Sequence, residues 1–250
     1  MMFYLDPFYL LLMLVTLVIS GGAQFYVKSS YKKWSNVRNA PGMTGLQVGQ
    51  AIVDRTPLGD FVNAPQAIQA GGQVGGGSGS TIRFQRVGGQ LSDHYDPRTH
   101  SVSLSDGVAN QPSVAAMAIV AHELGHAQQH EHSSFLIKMR NVLVPAIRFS
   151  PQIAYFMIFL GFIFRSSGLI YLGALFYGVM VLFTLITLPV EIDASRRALV
   201  LLREANLVQD EQDAAGARQV LTAAAMTYVA AAVTAILTLL YYLSMANRRR

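Results

Sequence analysis

The chain contains no cysteine. A disulfide framework, thiolate metal ligands and a cysteine nucleophile are therefore excluded. Charge is also scarce. Asp, Glu, Lys and Arg make up 13% of the 250 residues, about half the share of an ordinary soluble domain. Hydrophobic residues reach 52% and the mean hydropathy is +0.36, so an integral membrane protein is expected rather than a large soluble core. The net charge of +5 is no nucleic-acid signal here. The basic residues flank apolar runs, where they read as topology signals, and no nucleic-acid partner is expected. No Ala-x-Ala site follows the first apolar run, and no Lys or Arg precedes it. That run is expected to be a retained anchor, not a cleaved signal peptide. The glycine-rich 71–79 loop (GGQVGGGSG) lacks the Gly-Lys-Ser/Thr ending that draws in a phosphate. It reads as a flexible hairpin tip or linker.

What the chain has in quantity is membrane-length apolar sequence. A helical span takes roughly 20 apolar residues, and four segments qualify: 3–23, 142–164, 169–188 and 220–243. Pro145, Arg148 and Pro151 interrupt the second, leaving a firm core at 153–164. Pro189 is expected to end the third. The connection RSSG (165–168) is tight, so spans two and three form a hairpin. If all four cross, 24–141 and 189–219 lie on one side. Lys28, Lys32, Lys33, Arg38, Arg140, Arg148, Arg196, Arg197 and Arg203 crowd that side and make it cytoplasmic, while Arg248 to Arg250 argue the other way. Within the first polar stretch, a short helix is expected at 45–55 and a short strand in TIRFQRV.

Four of the six histidines fall in SVAAMAIVAHELGHAQQHEH, 113–132. Ser113 can cap a helix there, and alanines fill its first turns. His122 and His126 stand at i and i+4, on one helix face and about 6 Å apart along the axis. One Zn2+ at about 2.0–2.1 Å from each nitrogen can bridge them. Glu123 projects beside that position, placed to take a proton from an activated water. This is the HExxH arrangement. His130 repeats the step but lies about 12 Å from His122 along the axis, too far to share the ion. His130 and His132 read as helix-end or interface residues.

The third ligand must come from elsewhere. TLPVEIDASRRA begins where the third span ends, and Glu191 would return to the face that carries HELGH. A carboxylate there completes a His2Glu site with one position left for water. Asp193 and Arg197 can orient a ligand from behind. Asp193, Asp96 and His94 are the next candidates for the third position.

Taken together, LDPFYLLL, LSDHYDPRTHSVSLSD, VAHELGHAQQH, TLPVEIDASRRAL and VLTAAAMTYVAAAVTAIL resemble the YugP-like family of membrane zinc metallopeptidases, in the expected order and over nearly the whole chain. The resemblance implies zinc at His122 and His126, Glu123 as acid and base, and a glutamate ligand matching Glu191. The 71–79 loop is longer than the resemblance leads one to expect, which bears on substrate access rather than on the metal.

The expected fold is mainly α and membrane-integral: about four transmembrane helices, an HExxH-bearing metalloprotease domain and a small β element. The segments are an anchor (1–24), a membrane-adjacent catalytic segment (25–141), a transmembrane hairpin (142–188), a third-ligand helix region (189–219) and a C-terminal helix with a basic tail (220–250). Residues 99–105 alternate as a strand, expected at an edge beside the metal where an extended substrate can pair. His94 or Tyr95 would then stabilise an oxyanion; a structural turn capped by its aspartates is the equal alternative. The expected activity is zinc-dependent hydrolysis of peptide bonds in membrane-associated proteins or peptides, at a bacterial inner membrane. A membrane-protein partner or a second copy of the chain is also compatible with 132–145 and the Ala/Thr face of the last span. The rival classes are a zinc-stabilised scaffold, which has no use for Glu123, and a metal transporter, which would mark its spans with ionisable residues.

Overall fold

The structure is a computed structural model that describes residues 6–58, 82–132 and 135–248. The 71–79 loop lies outside the described residues. Seven helices and a three-stranded sheet are described: α1 (Pro7–Ser35), α2 (Gly45–Arg55), β1 (Arg83–Val87), β2 (His94–Asp96), β3 (Ser101–Ser105), α3 (Asp106–Asn110), α4 (Val114–Glu131), α5 (Phe135–Ile163), α6 (Ser167–Glu204) and α7 (Glu211–Asn247). α1, α5, α6 and α7 are long and apolar enough to cross a membrane. The expected mainly helical fold with four spans and a small β element is what the chain adopts.

The chain divides into two compact units. One comprises residues 1–27, 135–191 and 224–250; the other comprises 28–134 and 192–223. In the first, the α5–α6 hairpin closes on two glycines. A Cβ on Gly173 would sit 2.8 Å from the Ala154 carbonyl oxygen, and one on Gly161 would sit 2.9 Å from the Ile170 nitrogen. Small residues of this kind let helix backbones approach where lipid offers no hydrophobic drive. Ala154, Tyr177, Val181 and Ala235 form the buried centre of this unit.

Two expectations about its helices need correction. α5 runs unbroken through Pro145 and Pro151, and α6 runs unbroken through Pro189. Each proline removes one amide donor, which a soluble helix tolerates poorly. Long apolar helices tolerate it because neighbouring turns re-satisfy the freed carbonyls. Pro189 therefore does not end the third helix, and Glu191 to Arg197 continue it.

In the second unit the core is built around α4, whose Val114 to Met117, Val120, Ala121 and Leu124 are fully buried or nearly so. α2 starts at a capping box: Thr44 Oγ1 accepts from Gln47 N while Gln47 Oε1 accepts from Thr44 N. It packs on α4. The N-terminus of α4 is tied to the chain just after α1. Val114 N donates to Val37 O at 2.9 Å, and Asn39 N donates to Pro112 O at 3.0 Å. The Trp34 indole donates to Gln219 Oε1 at 2.9 Å, bringing in the start of α7.

The sheet order is β1-β3-β2, with β1 parallel and β2 antiparallel to β3. The expected strand exists as β3, but it is central and buried throughout. Both of its backbone edges are taken, so it offers no edge to a substrate. That expectation is corrected. The reason is that TIRFQRV also forms a strand, β1, and fills the edge left beside β3.

Candidate metal centre

α4 presents the motif as its spacing requires. Ser113 caps the helix, with Oγ accepting from Ala116 N at 3.2 Å. The His122 and His126 rings lie 4.8 Å apart, nearly perpendicular. Glu123 is 8% exposed. On α6, Glu191 is 2% exposed. Ligand atoms of His122, His126 and Glu191 all lie within 4.8 Å of one another. The division between the units falls at Glu191 and Ile192, inside the unbroken helix α6.

The glycine of HELGH has a specific reason to be there. A Cβ on Gly125 would lie 2.5 Å from the Ala194 carbonyl oxygen, so α4 and α6 cross at backbone contact. Around that crossing, contacts run in opposite order along the two helices. Ser195 Oγ is 3.3 Å from His122 Nδ1. Farther along α4, Gln129 Nε2 donates to Asp193 Oδ2 at 2.7 Å. Arg197 Nε donates to the same oxygen at 2.7 Å, and Arg197 Nη1 donates to Gln128 Oε1 at 3.2 Å.

This network fixes the proton on His126. Burial tends to raise the Asp193 pKa, but hydrogen bonds from Arg197 and Gln129, with the charges of Arg197 and Arg196, outweigh it and leave the pKa below the ordinary value. Asp193 is thus an acceptor only. Gln129 must turn its amide nitrogen to Asp193 and its oxygen to His126. His126 Nδ1, 3.1 Å from Gln129 Oε1, must then carry the hydrogen and donate. The lone pair is left on Nε2, the nitrogen a metal would use.

Asp193 and Arg197 are connected to His126 through Gln129, which sequence reasoning missed. Ser195 and Arg140 were missed as well. Arg140 Nη1 lies 3.8 Å from Glu191 Oε1. The signal for Gln129 was its i+3 relation to His126; Ser195 shared the i+4 step from Glu191. Nothing in the sequence pointed to Arg140 beyond its charge.

His94 and Tyr95 sit on β2, and their described contacts lead elsewhere. His94 Nδ1 donates to Ser92 O at 2.8 Å. The Tyr95 hydroxyl is 3.2 Å from His100 Nδ1. Burial first, and then the charges of Glu131 and Asp96, push the Tyr95 pKa up, so its hydroxyl keeps its proton. Asp93 accepts from Ser105 N at 2.7 Å and from its hydroxyl, and Asp96 accepts from Arg98 N at 2.9 Å. Asp96 thus caps the turn after β2, while Asp93 ties the chain before β2 to the end of β3.

Two imidazoles and a carboxylate are a donor set that suits zinc. A spread of at most 4.8 Å closes by small side-chain movements to the roughly 3.4 Å edge of a tetrahedron with zinc-length bonds. The residues fit the ion. A chain with four membrane-length helices and an HExxH helix whose histidines meet a glutamate of a second helix belongs to the class of membrane metallopeptidase-like proteins.

The comparisons with known proteins are more specific. Residues 9–66 and 79–247 match the family described as "Putative neutral zinc metallopeptidase". The chain is 34% identical over 234 residues, 94% of each chain, to the "Putative membrane protease YugP" of Bacillus subtilis (strain 168). No solved structure matches. The chain belongs to this zinc metallopeptidase family, and it is a membrane protein by its four apolar helices and its named relative.

Proposed function

We propose that the chain is a zinc-dependent endopeptidase of the bacterial inner membrane, acting from the cytoplasmic face on membrane-associated proteins or peptides. The observation that carries the reading is the convergence of His122, His126 and Glu191 ligand atoms within 4.8 Å, with Glu123 buried on the same helix. In this reading the two histidines and Glu191 hold the metal. A bound zinc supplies a Lewis acid and brings the pKa of water to about 7.

The chain's own residues do the rest. Glu123 accepts the proton of the attacking water and returns it to the leaving amine. Gln129, held by Asp193 and Arg197, keeps His126 in one tautomer and one orientation throughout. Arg140 offsets the negative charge of the buried Glu191. The cytoplasmic assignment rests on the lysines and arginines that flank the spans.

The test is elemental analysis of detergent-purified protein. Wild type should hold zinc, and His126→Ala and Glu191→Ala should each lose the equivalent of one ion per chain. Glu123→Gln should keep the zinc and lose hydrolysis of a membrane-protein substrate. Zinc that is absent from carefully handled wild type, or hydrolysis that survives in Glu123→Gln, would overturn the reading. Single cysteines introduced into this cysteine-free chain, labelled from either side of the membrane, test the sidedness. The relevant positions are 36 and 209, both exposed and both expected to react only from the cytoplasmic side.

A further inference from the structure

A second group of metal-ligating side chains lies at the far end of α4, about one turn beyond HELGH. It comprises His100, on the turn before β3, and His130 and Glu131, on the last turn of the helix. One ligand atom from each lies within 4.8 Å of the others.

His132, which shares the helix end, is accounted for by local structure: its Nδ1 donates to Gln128 O at 2.8 Å. His130 is not accounted for in that way. Its Nδ1 is buried and has no hydrogen-bond partner among the described residues. A buried polar atom left so is destabilising. The His100 ring stands 5.2 Å from the His130 ring, nearly perpendicular to it.

The spacing between His100 and Glu131 is also informative. His100 Nδ1 and Glu131 Oε1 are 3.4 Å apart. A charge-assisted hydrogen bond would draw them to about 2.7–2.9 Å. The observed distance instead matches the edge of a tetrahedron with bonds of about 2.0–2.1 Å, which is roughly 3.4 Å. The side chains of His100 and Glu131 are 40% and 24% exposed, so an ion can enter from solvent. Tyr95 closes the other side, with its hydroxyl 3.2 Å from His100 Nδ1 and its ring 6.1 Å from that of His130.

We propose that His100, His130 and Glu131 form a second divalent-cation site, of the kind that takes zinc, separate from His122, His126 and Glu191. The ion would ligate the orphaned His130 nitrogen and cross-link the turn before β3 to the C-terminal end of α4. Its role is to hold the β2–β3 hairpin against the motif helix. It does no chemistry on substrate.

The experiment is zinc titration of the full chain in detergent against a chromophoric chelator, in wild type and in His122→Ala/His126→Ala, which removes the first site. Wild type should bind two zinc ions and the double variant one. Adding His100→Ala or Glu131→Gln to the double variant should weaken the remaining ion at least tenfold. His100→Ala alone should lower the wild-type stoichiometry from two to one, a readout that stands if the double variant does not fold. A folded double variant that binds no zinc would overturn the proposal. So would a remaining ion indifferent to both added substitutions, or a wild type and His100→Ala with equal stoichiometry.

Discussion

Gly125→Ala is the most direct probe of how the motif helix is seated. The new Cβ would lie 2.5 Å from the Ala194 carbonyl oxygen, where ordinary contact begins at 3.4 Å. The difference, 3.4 − 2.5, asks α4 and α6 to separate by about 0.9 Å. Ala194 presents backbone there, so no flexible side chain can yield. Overpacking of this kind costs about 1–3 kcal/mol. Against it stands the gain of replacing a helical glycine, about 0.5–1 kcal/mol. The net loss is about 1–2 kcal/mol, or roughly 2–8 °C in melting temperature for a chain of this size. The same separation exceeds the roughly 0.5 Å within which a binding constellation keeps its geometry, so zinc affinity should fall at least tenfold. Gly178 is the internal control. It lies in α6, and nothing would come within 4 Å of its Cβ, so Gly178→Ala should leave stability level or slightly raised. The assay is thermal unfolding in detergent with and without zinc, together with chelator competition. A Gly125→Ala protein as stable as wild type with unchanged zinc affinity would refute the close crossing of α4 and α6.

Other outcomes follow from the same geometry. Gln129→Ala removes the link between His126 and Asp193 and should weaken zinc about 10–100-fold with the fold retained, as chelator competition would show. Arg140→Met takes a positive charge from beside the buried Glu191. It should lower the melting temperature of metal-free protein by an amount equivalent to about 1–2 kcal/mol, and zinc should recover most of it. Ser113→Ala removes the N-cap of α4 and should cost about 1 kcal/mol of stability in denaturant unfolding, without altering zinc stoichiometry. Glu123→Gln should lose about 10²–10⁴ of peptidase rate while keeping its metal by elemental analysis.

Much of this arrangement could be read from residues in order along the chain. The α2 helix, the cap at Ser113 and the i, i+4 histidines are local features, and local periodicity and capping chemistry decide them. The errors came where a local rule met a non-local environment. Prolines end helices in water, yet Pro145, Pro151 and Pro189 lie inside α5 and α6. Residues 101–105 alternate like an edge strand, but a partner strand some 18 positions earlier makes β3 central, pairing Arg83 with Ser101. Gln129 looked like filler between histidines because its partner, Asp193, is 64 residues away. Arg140 looked like a topology signal because its partner Glu191 lies on another helix.

The unit that contains α4 is assembled from two stretches, 28–134 and 192–223, and this has a consequence for biosynthesis. The motif histidines are translated early, but Asp193, Ser195 and Arg197 follow only after the α5–α6 hairpin has been made. From His126 to Glu191 is 191 − 126 = 65 residues, about 3–13 s of elongation at typical rates. A nascent chain thus carries both histidines and Glu123 for seconds without the groups that would orient them or complete the donor set. Discontinuity of this kind works as a timer: the centre cannot be finished before the third long helix has left the ribosome.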